Sequence, residues 1–237
     1  MGTKMKCVIL QPSYIPWRGY FHQIQKADTF IFYDDVQYDK DGWRNRNLIK
    51  TAQGTQWLTI PVKAKGAVSK GIPINQIRIS WDKPWNVHHW RAIQFAYKKT
   101  PFVSKYADYF EEMYSRQPQL LADFTIRTTI EIAALLGIRS TQFIRSSDLG
   151  SVEGEKTDRL INLLKKVGAD HYISGPAAKD YLEEEKFIAA GISLEYMHYN
   201  YPEYPQLYPP FEGKVSIIDL LFMTGPDSLK FIQTAAK

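Results

Sequence analysis

Asp34 and Asp35 close an aromatic, β-prone run, Thr29-Phe30-Ile31-Phe32-Tyr33. Two carboxylates at a strand end can hold Mg2+ on a nucleotide or receive ligand hydroxyls; they can equally be an ordinary loop or cap pair. Arg44, Arg46 and Lys50 follow, interleaved with Trp43, Asn45 and Asn47. Residues i and i+2 of an extended segment share a face. Arg44 and Arg46 would therefore turn two guanidinium forks toward a phosphate or carboxylate, with a solvated basic edge as the plainer alternative. A third group precedes both. The apolar run Val8-Ile9-Leu10 breaks into Gln11-Pro12-Ser13-Tyr14-Ile15-Pro16-Trp17-Arg18-Gly19-Tyr20-Phe21, a turn in which packing alone would need neither Gln11 nor Arg18. A strand feeding a loop that opens a helix is where α/β proteins bind ligands. Such a loop offers backbone N–H groups and the positive end of a helix to an anion.

Other chemistries find less support. His22, His88, His89, His171 and His198 form no HxxxH pattern, and adjacent His88 and His89 point to different helix faces, so no metal-ligand set is assigned. Cys7 lies inside the first apolar run and reads as a small buried hydrophobe. Ser146-Ser147 and Ser174-Gly175 follow strand-like runs, where small hydroxyl turns suit phosphate or ribose as well as plain tight turns. Tyr204, Gln206 and Tyr208 fall in a Tyr/Pro-rich stretch that serves equally as lid, interface or packed extended segment. No P-loop, G-x-G-x-x-G or G-x-S-x-G is present.

The elements that must position these groups follow from periodicity. Lys6 to Leu10 reads as a strand, Phe21 to Lys26 as the start of a helix, and Thr29 to Tyr33 as a second strand. That spacing makes a βαβ unit and a parallel pair, which places Gln11 to Gly19 and Asp34 to Gln37 beside one crevice. Val36 to Lys50 lacks apolar periodicity and reads as a functional loop or hairpin arm. Trp57 to Val62 and Ile74 to Ile79 read as strands around a mobile Gly/Lys-rich loop, Lys63 to Pro73. Helices are expected from Pro84-Trp85 to Tyr97, over Val103 to Tyr114 and over Leu120 to Leu136, the last ended by Gly137. Strands at Ile138 to Arg145, Ala169 to Ile173 and Ile192 to His198 then alternate with helices at Thr157 to Val167 and Ala178 to Ala190. Ser216 would cap a helix reaching Met223, and Asp227 to Ala235 would form a terminal one. The fold class expected is α/β: a parallel-sheet, Rossmann-like core with an inserted β-hairpin/helical subdomain. A single α/β domain would span 5–237, with 37–135 inserted over the sheet edge.

The totals agree. The 237 residues suffice for a full core. The net charge of +5, with no Lys/Arg-rich run, suits an anionic small molecule better than nucleic acid. Six Trp and 15 Tyr exceed what a core requires and point to an aromatic-lined cleft or interface. No apolar run approaches the ~18 residues of a membrane span, and no signal-peptide h-region precedes Leu10. A lone cysteine fits a reducing compartment, so a cytoplasmic protein is expected.

The Gln11 to Phe21 turn, Asp34-Asp35-Val36-Gln37, Trp43-Arg44-Asn45-Arg46-Asn47-Leu48-Ile49-Lys50, Tyr172-Ile173-Ser174-Gly175 and Ser216-Ile217-Ile218-Asp219-Leu220-Leu221-Phe222 together resemble the WbqC-like family over nearly the whole chain from Met5. The resemblance implies a place in bacterial surface-polysaccharide (O-antigen, lipopolysaccharide) biosynthesis. It also implies a transferase that attaches an aminoacyl group, glycyl among them, or an acyl group to a nucleotide-linked amino sugar. On that reading Asp35, Arg44 and Arg46 are the catalytic candidates, with Asp35 as general base or Mg2+ ligand. Gln11, Tyr14, Trp17, Arg18, Gly19, Tyr20, Gln37, Lys50, Ser174, Gly175, Tyr204 and Gln206 would bind the nucleotide or substrate. The opening turn is also similar in position to the first loop of nucleotidyltransferases and adenylate-forming enzymes. Trp17 and Tyr20 stand where those carry two histidines, so the loop would bind a nucleotide without that route of transfer. Two alternatives stay open: an ATP-dependent adenylate-forming ligase, and a non-catalytic nucleotide-sugar binding or scaffold protein. No cofactor is fixed, and ATP with Mg2+ is the one these readings admit.

Overall fold

The computed structural model describes residues 4–67 and 69–233. In chain order it forms β1 (Lys6–Leu10), α1 (Arg18–Lys26), β2 (Thr29–Phe32), β3 (Arg46–Thr51), β4 (Gly54–Thr59), α2 (Trp85–Tyr97), α3 (Val103–Ser115), α4 (Leu121–Leu135), β5 (Gln142–Arg145), α5 (Lys156–Lys166), β6 (His171–Ser174), α6 (Glu184–Ala189), β7 (Ser193–Tyr196) and α7 (Ile217–Thr224). Strands β1, β2, β5, β6 and β7 make one parallel sheet in the order β5-β2-β1-β6-β7, with Val8 opposite Phe30 and Cys7 opposite Tyr172. Counted within the sheet this is the order 3-2-1-4-5 of Rossmann-like folds. The direction of winding reverses between β1 and β6, where such sheets open a crevice at the strand C-termini.

Helices cover both faces, so the strands are apolar on both sides. Side chains alternate across a strand. Val8, Phe30, Phe32 and Ile173 pack with α1, α2, α3, α4 and α7, while Cys7, Ile9, Ile31 and Tyr172 pack with α5 and α6. Burial pushes the Cys7 thiol up to about 12, which keeps it protonated and inert. Between the neighbouring strands β2 and β5 the chain makes a long excursion carrying the antiparallel hairpin β3–β4 and helices α2 to α4.

Several sequence expectations are revised. Ile74 to Ile79 is a 3-10 turn at Ile74–Gln76 followed by isolated bridges of Arg78 to Leu120 and Ile79 to Val62; the alternation breaks at Asn75-Gln76, and among the described residues no partner strand runs alongside. Ala178 to Ala190 splits into a 3-10 turn at Pro176–Asp180 and the short α6. The terminal helix is a 3-10 segment, Gly225–Phe231; residues 234 and 235 of that expectation lie outside the described residues. The first helix starts three residues early, at Arg18. Ser216 does cap α7, its Oγ accepting from Ile218 N at 3.3 Å, and Gly137 ends α4 at φ +86°. Among the described residues no helix is long and apolar enough to cross a membrane.

Candidate functional site

The loop from Gln11 to Trp17 is held from three sides. Asn47 Nδ2, on β3, donates to Tyr14 O at 3.0 Å and Ile15 O at 2.9 Å. Tyr14 N donates to Trp43 O at 3.1 Å, and Ile217 N to Pro16 O at 2.9 Å. Trp17 bridges antiparallel to Ser216. These contacts fix Ile15 at φ +36°, a left-handed conformation that costs a β-branched residue about 1–3 kcal/mol. Next to the loop, a Cβ on Gly19 would collide with the Trp17 indole, so glycine is what lets that ring fold back over the helix start.

Beside this loop, at the β1/β6 reversal, lies a cleft of about 1040 Å³. Its walls come from the loop (Gln11, Ser13, Pro16, Trp17), from α1 (Tyr20, Gln23), from the arm before β3 (Trp43, Arg44) and from α5 (Lys156, Leu160). Tyr33, Tyr172, Tyr181, Asn47 and Lys214 contribute as well. Three cations and six aromatic rings thus share a lining that contains no Asp, Glu or His.

Arg44 stands apart from the other arginines with a buried Nε that lacks a partner. Arg18 donates to Pro202 O and Phe231 O, Arg46 to Asp41 O, and Arg159 to Val152 O and Asp35. Among the described residues Arg44 has no such bond and no ion pair. Burial lowers its pKa, opposed by the nearby Tyr20 hydroxyl and Asp39 carboxylate. An arginine stays protonated regardless, so the cleft carries an unpaired, partly desolvated charge. Lys156, exposed at the start of α5, adds a second positive charge to the lining. It enters α5 at φ +47°, so both non-glycine residues with positive φ among those described, Ile15 and Lys156, belong to the walls of this cleft or the loop behind it.

The sequence-derived candidates divide. Gln11, Trp17, Tyr20 and Arg44 line the cleft, and Gly19 lies under Trp17. The others are placed elsewhere. Tyr14 is buried, its hydroxyl 2.6 Å from that of Tyr114 and 2.9 Å from His89 Nδ1. Arg18 turns away from the cleft and lies over the rings of Tyr201, Tyr204 and Phe211. Lys50 is buried and its ammonium donates to Pro210 O. Tyr204 and Gln206 both donate to the buried carboxylate of Asp219 at 2.8 Å. Gln37 bridges to Pro73. Ser174 is buried, and Gly175 precedes the turn that carries Tyr181. Arg46 packs over Trp57, outside the lining.

Asp35 lies behind the cleft wall. Ser146 Oγ donates to it at 2.5 Å and Arg159 Nη2 at 2.6 Å, one helical position before Leu160 of the lining. Asp34 is fully buried; it accepts from Ser147 N and Ser147 Oγ, and its own N donates to Ser146 Oγ. Both carboxylates already hold hydroxyl, amide or guanidinium donors, and an Mg2+ would have to displace Arg159. The pair does not fit a metal site, and no group of three or more His, Cys, Asp or Glu among the described residues is arranged as one.

The lining residues that sequence reasoning missed are Lys156, Lys214, Tyr33, Tyr172, Tyr181 and Gln23. One local signal was available: Gly154-Glu155-Lys156-Thr157 is a glycine-containing turn opening a helix after a strand.

Fold and site together define a Rossmann-like α/β protein with a cationic, aromatic cleft at its switch point. The chain belongs to the WbqC-like protein family, whose model matches residues 11–231. It is 42% identical over 231 residues, 95% of this chain and 98% of the relative, to a Mycobacterium tuberculosis protein described as "Uncharacterized protein Rv1507c". No solved structure matches.

Proposed function

We propose that the cleft binds a nucleotide-linked amino sugar and that the protein is a cytoplasmic transferase of bacterial surface-polysaccharide (O-antigen) assembly, adding an aminoacyl group such as glycyl, or an acyl group, to the sugar amine. The observation that carries the binding half is Arg44: a cation with no partner in a lining without a carboxylate is stabilised once an anion enters. Lys156 and Lys214 supply charge for a diphosphate, and Trp17, Tyr20 and Tyr172 supply flat faces for a base. The transferase half rests on family membership. In such a step the amine nitrogen attacks the donor carbonyl, the bond to the leaving group breaks and the proton lost by the amine passes to the departing group. Asp35 serves this site through Arg159, as a positioning residue for α5, rather than by touching the substrate.

One observation favours a second reading. The lining offers no Asp, Glu or His as proton acceptor, as in a protein that holds a nucleotide sugar without turning it over. Calorimetric titration with uridine, guanosine and thymidine diphosphate sugars tests binding, with Arg44→Ala as control. We expect binding of at least one, weakened about 10- to 100-fold by the substitution, the range for losing hydrogen bonds to a charged group. No binding by any of them would sink the proposal. Binding without product, when glycine and ATP or an activated acyl donor is added, would select the second reading.

A further inference from the structure

Two tryptophans remain about half exposed beside the cleft, Trp43 at 43% and Trp57 at 47%. Their ring centroids are 5.3 Å apart with planes inclined by 34°. They are not loose. Trp57 stands opposite Leu48 in the β3–β4 register, and the Arg46 guanidinium carbon lies 4.9 Å from its ring. Arg46 is anchored in turn by its bond to Asp41 O at 2.5 Å. Trp43 belongs to both structures: it packs at a tilt against Trp57 and it lines the cleft next to Arg44. The aromatic surface is therefore continuous with the anion site. On the same lining, Tyr181 is 66% exposed.

We infer that Trp43 and Trp57 are the platform on which the sugar ring of a phosphate-linked sugar stacks while its phosphates sit on Arg44. The inference rests on the proposed nucleotide-sugar reading and names the part of the ligand that this surface takes. The chemistry favours a pyranose. Its C–H face is apolar and weakly positive and matches the negative face of an indole. Its hydroxyl rim needs water, which a half-open platform leaves in place. A lipid chain would call for a closed apolar groove, and the deeper rings of Trp17, Tyr20 and Tyr172 are better enclosed for a base.

The test compares wild type, Trp57→Ala and Trp57→Phe for binding of the three diphosphate sugars and of the matching free nucleoside diphosphates. Trp57 does not line the cleft, so binding of the free diphosphate reports whether the site is intact. We expect Trp57→Ala to weaken the sugar-linked ligand about tenfold, to change the free diphosphate less than twofold, and Trp57→Phe to recover most of the loss. Equal loss for both ligand types would overturn the inference, because Trp57 would then hold the base or merely support the hairpin. No loss for either would overturn it too, while leaving the nucleotide reading in place. If wild type binds neither ligand type, the proposed function falls and the platform falls with it.

Discussion

A half-buried cation with no hydrogen-bonded counter-charge is a cost that a fold carries only when something else compensates. Arg44 in this chain has that character, with a partnerless Nε and a pKa lowered by burial. Replacing it with a methionine of similar length removes the desolvation cost and keeps the packing. Arg44→Met should therefore stabilise the free protein by about 1–2 kcal/mol while weakening nucleotide binding about 10- to 100-fold, as Arg44→Ala does, measured by denaturant melts and by titration on the same preparation. Arg44→Lys should keep the charge but lose the fork, leaving binding between that of wild type and the methionine variant. If Arg44→Met destabilises the protein, the arginine has a structural partner and the anion-site reading loses its main support.

The cleft exists because separate elements press the first loop into a strained shape. Asn47 satisfies two carbonyls of that loop with one amide group, so Asn47→Ala should cost about 1–3 kcal/mol of stability. Because Ile15 would relax, it should also weaken ligand binding more than an equally destabilising change in α3 does. Gly19→Ala would push the Trp17 indole off its seat and should lower affinity with little effect on secondary structure by circular dichroism. For Asp35→Asn, the loss of a part-exposed ion pair should cost about 1 kcal/mol or less, with turnover nearly unchanged. A several-hundred-fold drop in turnover at unchanged affinity would instead place the carboxylate in the chemistry. These elements also show what could be read in advance. The βαβ start was legible from β-prone apolar runs flanking a short helix, and so was the place of the loop between them beside a crevice, whose wall includes Gln11, Trp17 and Tyr20. The arm was legible through Trp43 and Arg44. The side of the helix to which Arg18 turns was not, because one residue in a first turn fixes no helical phase. Nor were the placements of Tyr14 and Lys50, whose partners Tyr114 and Pro210 lie far along the chain, or of Tyr204 and Gln206, whose common partner Asp219 lies on α7. Tyr172 reaches the cleft because the sheet reverses between β1 and β6, a feature of topology that no local pattern encodes; for Lys156 only the glycine-containing turn before α5 was a local sign.

Two buried histidines couple the whole fold to pH. His22, on α1, sits 2.9 Å from the Tyr201 hydroxyl, and burial together with Lys26 lowers its pKa to about 4. His89, on α2, is held by Tyr14 and donates to Thr59 O; burial lowers it to about 4 as well, against that backbone bond. The unfolded chain takes up protons at both sites near pH 6.5, whereas the folded chain resists until about pH 4. Between those values the unfolded state binds more protons, so stability rises with pH through this window and falls as pH falls. Each histidine should contribute a loss of about 2 kcal/mol between pH 7 and pH 5, or roughly 4–8 °C in melting temperature for a chain of this size. Asp219 works in the opposite sense. Its pKa is raised by burial, against hydrogen bonds from Tyr204, Gln206 and Tyr97, so its contribution is full below the unfolded carboxyl value and is lost as pH rises through the folded one. The net slope of melting temperature against pH is thus a contest between two imidazoles and one carboxyl, and substitution separates them. His89→Gln should flatten the slope between pH 5 and 7 by about half of the histidine contribution, His22→Gln by the other half, and Asp219→Asn should steepen it. Melts at constant ionic strength across that range decide the matter. An unchanged slope in both histidine variants would mean that neither ring is kept neutral by the fold.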